Sequence, residues 1–153
     1  MNTFYDAFYL SCAFEYAKLA MIFGEVPIGA VLVKDHCILG VGFNLKENFK
    51  QASKHAELIA IEEASKKLGD WRLDGATLYS SLEPCPMCAG ALLQARVKRV
   101  VYAAKDLRWG ALTKTNMLDE ACFNHHLDCV YMPYKPSELL LKQFFAVRRN
   151  KQY

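Results

Sequence analysis

The residues best suited to chemistry lie in two short segments, His55-Ala56-Glu57 and Pro84-Cys85-Pro86-Met87-Cys88. A catalytic zinc takes three protein ligands and keeps one position for water, whereas a structural zinc takes four ligands. His55, Cys85 and Cys88 supply three ligands of the right type. Glu57 is then left to move protons to and from the bound water. The pattern predicts a catalytic zinc site in which Glu57 is the general acid and base.

The spacing of these residues also constrains their local structure. Both cysteines are expected in the first turn of a helix entered through Pro84, where unpaired N–H groups and the helix dipole favour thiolates. The Pro84 carbonyl lies outside the helix ladder and can face a ligand. Residues two apart in a regular helix point about 200° away from each other. We therefore predict that His55 lies just before its helix, since only then can it face the same pocket as Glu57.

Two other interpretations of the cysteine pair stay open. A C-x-x-C pair could be a redox centre, although no thioredoxin-like context accompanies it, or half of a structural zinc site. A structural site needs a fourth ligand, and the other histidines, His36, His125 and His126, are not convincingly spaced; the last two are expected at the surface or in a substrate loop. The remaining cysteines are predicted to be small core residues. They are Cys12, Cys37, Cys122 and Cys129.

Length and composition are those of one globular domain spanning residues 1–153. The net charge of +3 does not by itself indicate a nucleic-acid partner. No apolar run approaches the roughly 18 residues of a membrane span, and the N-terminus lacks the features of a signal peptide. We therefore expect no membrane contact and a cytoplasmic location.

Hydrophobic periodicity predicts an α/β fold. Helices are expected over 3–23, 55–68, 85–95 and 137–150, and strands over 28–33, 37–43, 76–82, 100–104 and 129–132. Thr3 and Asp6 are expected to form a capping pair for the first helix, and Ser137 is expected to cap the last one. The first two strands read as a hairpin around Asp35 and His36, which makes the sheet mixed.

The chain resembles a known family in this motif and in the segments around it. The pattern H-x-E followed by P-C-x-x-C is that of the zinc deaminases that act on nucleobases. Further similar segments are EVPIGAVLV at 25–33, GFN at 42–44, DGATLY at 74–79, LEPCPMCAGA at 82–91, and the pairs Phe144-Phe145 and Arg148-Arg149. Together they resemble the bacterial tRNA-specific adenosine deaminases, a branch of the cytidine deaminase-like superfamily.

The resemblance implies a fold, a reaction and partners. The fold is a three-layer α/β/α arrangement with a mixed five-stranded sheet, in a homodimer with one Zn²⁺ per subunit and active sites near the subunit interface. The reaction is hydrolytic deamination of the wobble adenosine to inosine in the anticodon loop of a tRNA, an arginine tRNA in this family. Zinc-bound hydroxide attacks the base, and Glu57 is the proton shuttle.

The resemblance also implies substrate contacts. Asn44 and the backbone of Ala56 would hold the purine, Val26 and Pro27 would pack on it, and the Pro84 carbonyl would receive the exocyclic amine. Outside the pocket, Lys105 and Asp106 would contact nucleotides flanking the target. Four residues of the last helix would contact the anticodon loop: Phe144, Phe145, Arg148 and Arg149.

Composition supports an RNA substrate less sharply. Basic and aromatic residues interleave after Pro136, as suits an unstacked single strand. An amphipathic helix with its phenylalanines in the core would give the same pattern, and the two interpretations are compatible. One stretch departs from the family: Leu107-Arg108-Trp109 is bulky, and Leu112-Thr113-Lys114 replaces small residues. Trp109 could stack on a base or brace the dimer.

Two alternative functions share some of these features. A deaminase of a free base or nucleotide, such as guanine or cytosine, would carry the same zinc motif but would not need the cationic C-terminal segment. A nucleic-acid-binding module with a structural zinc would need the metal but not Glu57.

Overall fold

The protein is described by a computed structural model over residues 2–113 and 123–151. The helices are α1 (Thr3–Ile22), α2 (Lys46–Phe49), α3 (Ala56–Leu68), α4 (Pro86–Gln94) and α5 (Lys135–Asn150). The strands are β1 (Gly29–Lys34), β2 (Cys37–Phe43), β3 (Thr77–Ser80), β4 (Arg99–Tyr102) and β5 (Asp128–Tyr131). Each predicted helix and strand is confirmed with shifted ends, and the short helix α2 is an addition. None of the helices in the described ranges is long and apolar enough to span a membrane.

The five strands form one mixed sheet in the order β2-β1-β3-β4-β5. Strand β1 is antiparallel to both β2 and β3, whereas β3, β4 and β5 are parallel. The hairpin turn between β1 and β2 places both Asp35 and His36 at positive φ, 49° and 61°, the backbone of a tight turn that follows the strand twist. The mixed five-stranded sheet expected from the sequence is therefore confirmed.

Helices cover both faces of the sheet. Alternate side chains of β1 point to opposite faces, and both sets are apolar, so each face needs a covering layer. Ala30 and Leu32 are fully buried against the face that carries α3 and α4, and Val31 and Val33 are buried against α1. Helix α5 contacts α1. The result is the expected three-layer arrangement.

Helix α3 lies directly on the first hairpin. A side chain at Gly40 or Gly42 would collide with the backbone carbonyls of Ala60 and Ala56 respectively. Backbone therefore meets backbone there, and this contact fixes where the N-terminus of α3 sits at the edge of the sheet.

Both predicted helix caps are wrong. Asn2 caps α1, since its side chain accepts the Phe4 N–H at 3.1 Å. Asp6 is instead buried, and its two carboxylate oxygens accept from the Arg99 guanidinium at 2.7 Å each. At the other end Tyr134 is the cap residue of α5, and Ser137 lies buried in the first turn.

The prediction of core cysteines also fails for two of them. Cys37 and Cys129 are exposed, on the outer strands β2 and β5. Cys12 is half-buried and packs against the cluster under α1. Cys122 lies outside the described residues. Edge strands leave one side without a neighbour, so apolar sequence context alone does not bury a residue on them.

Candidate active site

The predicted metal ligands lie where the chain enters two neighbouring helices. His55 immediately precedes α3 with an extended backbone, φ −82° and ψ 150°, as predicted. Cys85 immediately precedes α4 in a similar conformation, φ −74° and ψ 170°. The prediction that it lies in the first turn is wrong, because Pro86 opens the helix. Cys88 follows in the first turn of α4 and is fully buried. Both helices direct their positive ends at the site, which favours anionic ligands there.

The three donor atoms form a nearly equilateral triangle. His55 Nδ1 lies 3.6 Å from Cys85 Sγ and 3.5 Å from Cys88 Sγ, and the two sulfurs are 3.6 Å apart. A tetrahedral zinc with its usual bond lengths requires about 3.8 Å between two sulfurs and about 3.6 Å between sulfur and nitrogen. The triangle therefore fits a single four-coordinate ion and leaves its fourth corner open. Among the described residues, these three form the group of side chains able to hold a metal ion.

The two thiols differ in proton affinity. The hydrogen bond from Cys88, followed by that of His55, lowers the pKa of Cys85 to about 4. The pKa of Cys88 is raised, first by its hydrogen bond to Cys85 and then by burial. A divalent cation must displace the thiol protons to bind both sulfurs as thiolates.

Glu57 lies in the first turn of α3 and is 3% exposed. Burial raises the pKa of its carboxyl to about 7. Within the part of the chain that the structure describes, its buried Oε2 atom has no hydrogen-bond partner, so it can still accept one. Glu57 is not one of the three clustered ligands. A buried acid of this kind can hold or release a proton near neutral pH.

A cavity of about 490 Å³ opens in front of these residues. His55, Glu57 and Cys85 line it together with Lys46, Asp106 and Trp109. Its size is that of a small-molecule site. The sequence did not single out Lys46, nor the apolar lining residues Ile28, Leu82 and Met87.

The residues predicted to hold a purine are neighbours in the chain of residues that line this cavity, but they are not among the lining residues themselves. Val26 is half-buried, and Pro27, Asn44 and Ala56 are buried. The Asn44 side chain accepts the Lys46 N–H at 3.3 Å and donates to the Val26 carbonyl at 3.5 Å. Asn44 thus ties the segment before β1 to the segment after β2.

The Pro84 carbonyl is already engaged on one side. It accepts the Ala111 N–H at 3.0 Å. A carbonyl oxygen can accept a second hydrogen bond, although Pro84 is buried and is not among the residues that line the cavity.

Glu83 is a cavity-lining residue that the sequence interpretation missed. It is 1% exposed, and its carboxylate accepts backbone N–H bonds from Asp106 at 2.9 Å, Leu112 at 3.1 Å and Thr113 at 2.7 Å. It therefore fastens the loop after β4, at 106 and at 112–113, to the segment that leads into Cys85. The only signal in the sequence is an acid directly before Pro-Cys.

The two loop residues predicted to contact RNA differ in their surroundings. The Asp106 side chain accepts N–H bonds from Arg108 at 2.9 Å and Trp109 at 3.1 Å, so it shapes the loop as well as lining the cavity. Lys105 is exposed, and its ammonium lies 4.8 Å from the centre of the Tyr131 ring.

Helix α5 presents its predicted residues on two sides. Phe144 is buried and Phe145 is 41% exposed. Arg148 and Arg149 are exposed, with Arg148 stacked 5.1 Å from the centre of the Phe144 ring. Phe144 thus anchors the helix, and the other three residues are available to a partner. None of the four lines the cavity.

Comparison with known proteins places this site in a class. The sequence profile of the MafB19-like deaminase family matches residues 6–149. The tRNA-specific adenosine deaminase of Bacillus subtilis (strain 168) is 49% identical over 126 residues, which cover 82% of this chain and 78% of that protein.

Two solved structures share the fold. One, from studies of A-to-I editing by tRNA:A34 deaminases at the wobble position of transfer RNA, is 35% identical with a TM-score of 0.79 and covers 82% of this chain and 98% of its own. Guanine deaminase from Bacillus subtilis is 32% identical with a TM-score of 0.64, and covers 97% of this chain and 95% of its own.

The fold and the three-ligand site with its buried acid define a deaminase of the cytidine deaminase-like superfamily. Within that class, the chain belongs to the tRNA-specific adenosine deaminases. The interpretations as a redox pair or as a binding module with a structural metal lose their support.

Proposed function

We propose that this protein converts the wobble adenosine of a tRNA anticodon to inosine, at a zinc ion held by His55, Cys85 and Cys88. The observation that carries the proposal is the triangle of donors with one corner open beside a buried carboxyl, in a chain 49% identical to a tRNA-specific adenosine deaminase. The donor set fits zinc, because two thiolates and an imidazole are ligands that it prefers.

Zinc bound here would supply an activated water molecule. The proton transfers fall to Glu57, whose buried carboxyl accepts a proton from the attacking water and gives it to N1 of the adenine ring. A second proton transfer lets the C6 amine leave as ammonia, so water is consumed and inosine is formed. The position of Glu57, buried and outside the ligand triad, supports this role.

The base would be held by residues next to the cavity. Asn44 and the Ala56 backbone offer polar contacts to the purine edge, while Val26 and Pro27 offer apolar ones. The remaining acceptor position of the Pro84 carbonyl suits the exocyclic amine, which carries two N–H donors.

The RNA around the target would meet the loop after β4 and helix α5. Lys105 and Asp106 would contact the flanking nucleotides. Phe145, Arg148 and Arg149 are exposed and suit an unstacked anticodon loop, where aromatic faces meet bases and cations meet phosphates. Phe144, which is buried, would act by holding the helix in place.

Three finer parts of the proposal come with the family. They are an arginine tRNA as the substrate, a homodimer with active sites near the subunit interface, and a cytoplasmic location. Each is tested by a separate measurement: sequencing of the modified tRNAs, the solution mass and cell fractionation.

The deciding experiment incubates the zinc-loaded protein with an anticodon stem-loop RNA and, separately, with free guanine and cytosine. Inosine in the RNA at the wobble position, read as guanosine after reverse transcription, is the expected result. Turnover of a free base without reaction on RNA would instead identify the alternative, a free-base deaminase.

A matched pair of variants separates the proton carrier from the ligands. Glu57→Gln should abolish turnover and keep one zinc per chain, because the side chain is not a ligand. Cys88→Ser should lose zinc and activity together. Loss of zinc from Glu57→Gln would contradict the assignment of Glu57.

A further inference from the structure

Trp109 is an exposed aromatic side chain at the mouth of the catalytic cavity. It is 70% exposed, yet it lines the same cavity as His55 and Glu57. A single exposed aromatic side chain is ordinary on a protein surface. The position of Trp109 beside the residues of the catalytic site is what distinguishes it from the other exposed aromatic residues.

The loop holds this indole in a defined place. The Asp106 side chain accepts the Trp109 N–H at 3.1 Å, and the Asp106 carbonyl accepts the Gly110 N–H at 3.1 Å. A side chain at Gly110 would collide with the Glu83 carboxylate, so the loop backbone packs directly on that buried acid. The ring is therefore presented from an anchored turn.

The exposed charges of the loop that carries Trp109 are basic, although acidic groups line the cavity below. Arg108 precedes it and is exposed, Lys105 lies four residues before it and is exposed, and Lys46 lines the cavity. The carboxylate of Asp106 is the acidic group of the same turn, and one of its oxygens is engaged by the backbone. Cations around an exposed aromatic ring are the surface on which single-stranded nucleic acids stack their bases.

We propose that the indole of Trp109 stacks on the base of a nucleotide next to the target adenosine and so selects the conformation of the RNA loop. This inference rests on the proposed function. The target base must enter the cavity beside Trp109, so an adjacent base, displaced from its own stack, lies within reach of the ring. Trp109 is thus a substrate-binding residue and takes no part in proton transfer.

Steady-state kinetics on an anticodon stem-loop RNA test the inference with three variants. Trp109→Ala should lower kcat/KM by roughly 5- to 150-fold, the range found when an aromatic that stacks on a base is removed. The loss should fall mainly on KM. Trp109→Phe should retain most of the activity, since a phenyl ring still offers a face.

Trp71→Ala is the matched control. Trp71 is also exposed, at 54%, but it lines a separate groove with Ile61 and Gln94. Its removal should leave kcat/KM unchanged. Thermal unfolding of each variant checks that the fold is kept.

A set of RNAs, each lacking one base near the target, identifies the stacked nucleotide. For one of them the wild-type protein and Trp109→Ala should have equal kcat/KM, because the base that the ring contacts is already gone. An unchanged kcat/KM for Trp109→Ala on the complete RNA would overturn the inference, as would a loss of equal size on every RNA of the set.

Two other outcomes are distinguishable. If Trp109→Ala converts a dimer to a monomer and regains activity at high protein concentration, the ring braces a subunit interface and the stacking inference is wrong. If the wild-type protein forms no inosine on any RNA, both proposals fail. Wild-type activity with an unaffected Trp109→Ala variant removes this inference alone.

Discussion

We predict that the buried acid Glu83 is essential for placing the loop after β4. Its replacement should leave the metal ligands in position. Its carboxylate accepts three backbone N–H groups, from Asp106, Leu112 and Thr113, and contacts the Thr113 hydroxyl at 2.9 Å from each oxygen. Two points of the loop after β4, at 106 and at 112–113, are thus held by one side chain. We take Glu83→Gln as the perturbation, because it keeps the size and removes one acceptor.

The magnitude follows from the count of acceptors. A glutamine oxygen can replace Oε1, which serves Leu112 and Thr113, but its NH₂ group then faces the Asp106 N–H, and two donors meet. Losing one charge-assisted hydrogen bond and leaving a buried donor unpaired costs about 1.5–3 kcal/mol. For a domain of this size that corresponds to a fall in Tm of roughly 3–12 °C.

Activity should fall together with stability, because the loop carries Asp106 and Trp109 into the cavity. A displacement of about 1 Å in a substrate-positioning group can cost up to about 100-fold in rate. We expect kcat/KM on the RNA to drop by at least tenfold, with one zinc retained per chain, since the ligands are held at the starts of α3 and α4.

Thermal unfolding followed by circular dichroism, metal analysis and stem-loop kinetics measure these three quantities on one preparation. Glu63→Gln is a suitable control, because Glu63 is an exposed acid of α3 that also accepts a backbone N–H, that of Val41. A Glu83→Gln protein with wild-type Tm and kcat/KM would refute the reasoning. Loss of zinc would show that Glu83 supports the metal site instead of the loop.

Other parts of the molecule give outcomes independent of this loop. Hydrogen bonding to Arg99 lowers the pKa of Asp6, so this carboxylate stabilises the fold above about pH 4, the ordinary unfolded value, and the effect is lost as pH falls through the lower folded pKa. Asp6→Asn should lower the free energy of unfolding by about 3–5 kcal/mol at pH 7, because it leaves a buried cation unpaired. On acidification, urea titrations should show a smaller further loss for the variant than for the wild-type protein. Equal pH dependence of the two proteins would contradict the pairing. Gly42→Ala should displace α3, because the added methyl meets the Ala56 carbonyl, and metal analysis should show reduced zinc; full zinc loading would argue against this contact as the determinant of the site. Raising salt should lower log(kcat/KM) on RNA with a slope of about −2 in log salt for three phosphate contacts, whereas a flat response would indicate a small neutral substrate.

Local rules were sufficient for the centre of the site. The position of His55 before α3 follows from the two-residue spacing to Glu57, and the structure has it there. The pairing of Cys85 with Cys88 across one helical turn follows in the same way. These features depend on neighbours in the chain, which a sequence displays directly.

Long-range partners were beyond such rules. Asp6 matches a helix-capping pattern, but its partner Arg99 is 93 residues away and is buried beside it. Glu83 reaches loop residues 23 to 30 positions further on. Tertiary contacts of this kind decide which polar groups are buried, and neither propensity nor periodicity encodes them.

The predicted purine contacts and RNA contacts stand between these cases. The resemblance to a family proposes Val26, Pro27 and Asn44, and in the structure the Asn44 side chain donates to the Val26 carbonyl. Their contact with a base stays a prediction. Lys46 borders the cavity from the short helix α2. A helix of four residues is too short to give a periodic pattern in the sequence.

In the proposed function, recognition and hydrolysis are carried by different stretches of this chain, which meet at the buried side chain of Glu83. The segment after β4 can therefore differ in sequence and length between relatives while the hydrolytic centre stays unchanged. The condition is that the hydrogen bonds to Glu83 are preserved. Such an arrangement would let evolution, or an engineer, change the segment that contacts the RNA while the metal site stays constant. Swapping 107–111 between homologues should redirect which RNA loops are accepted.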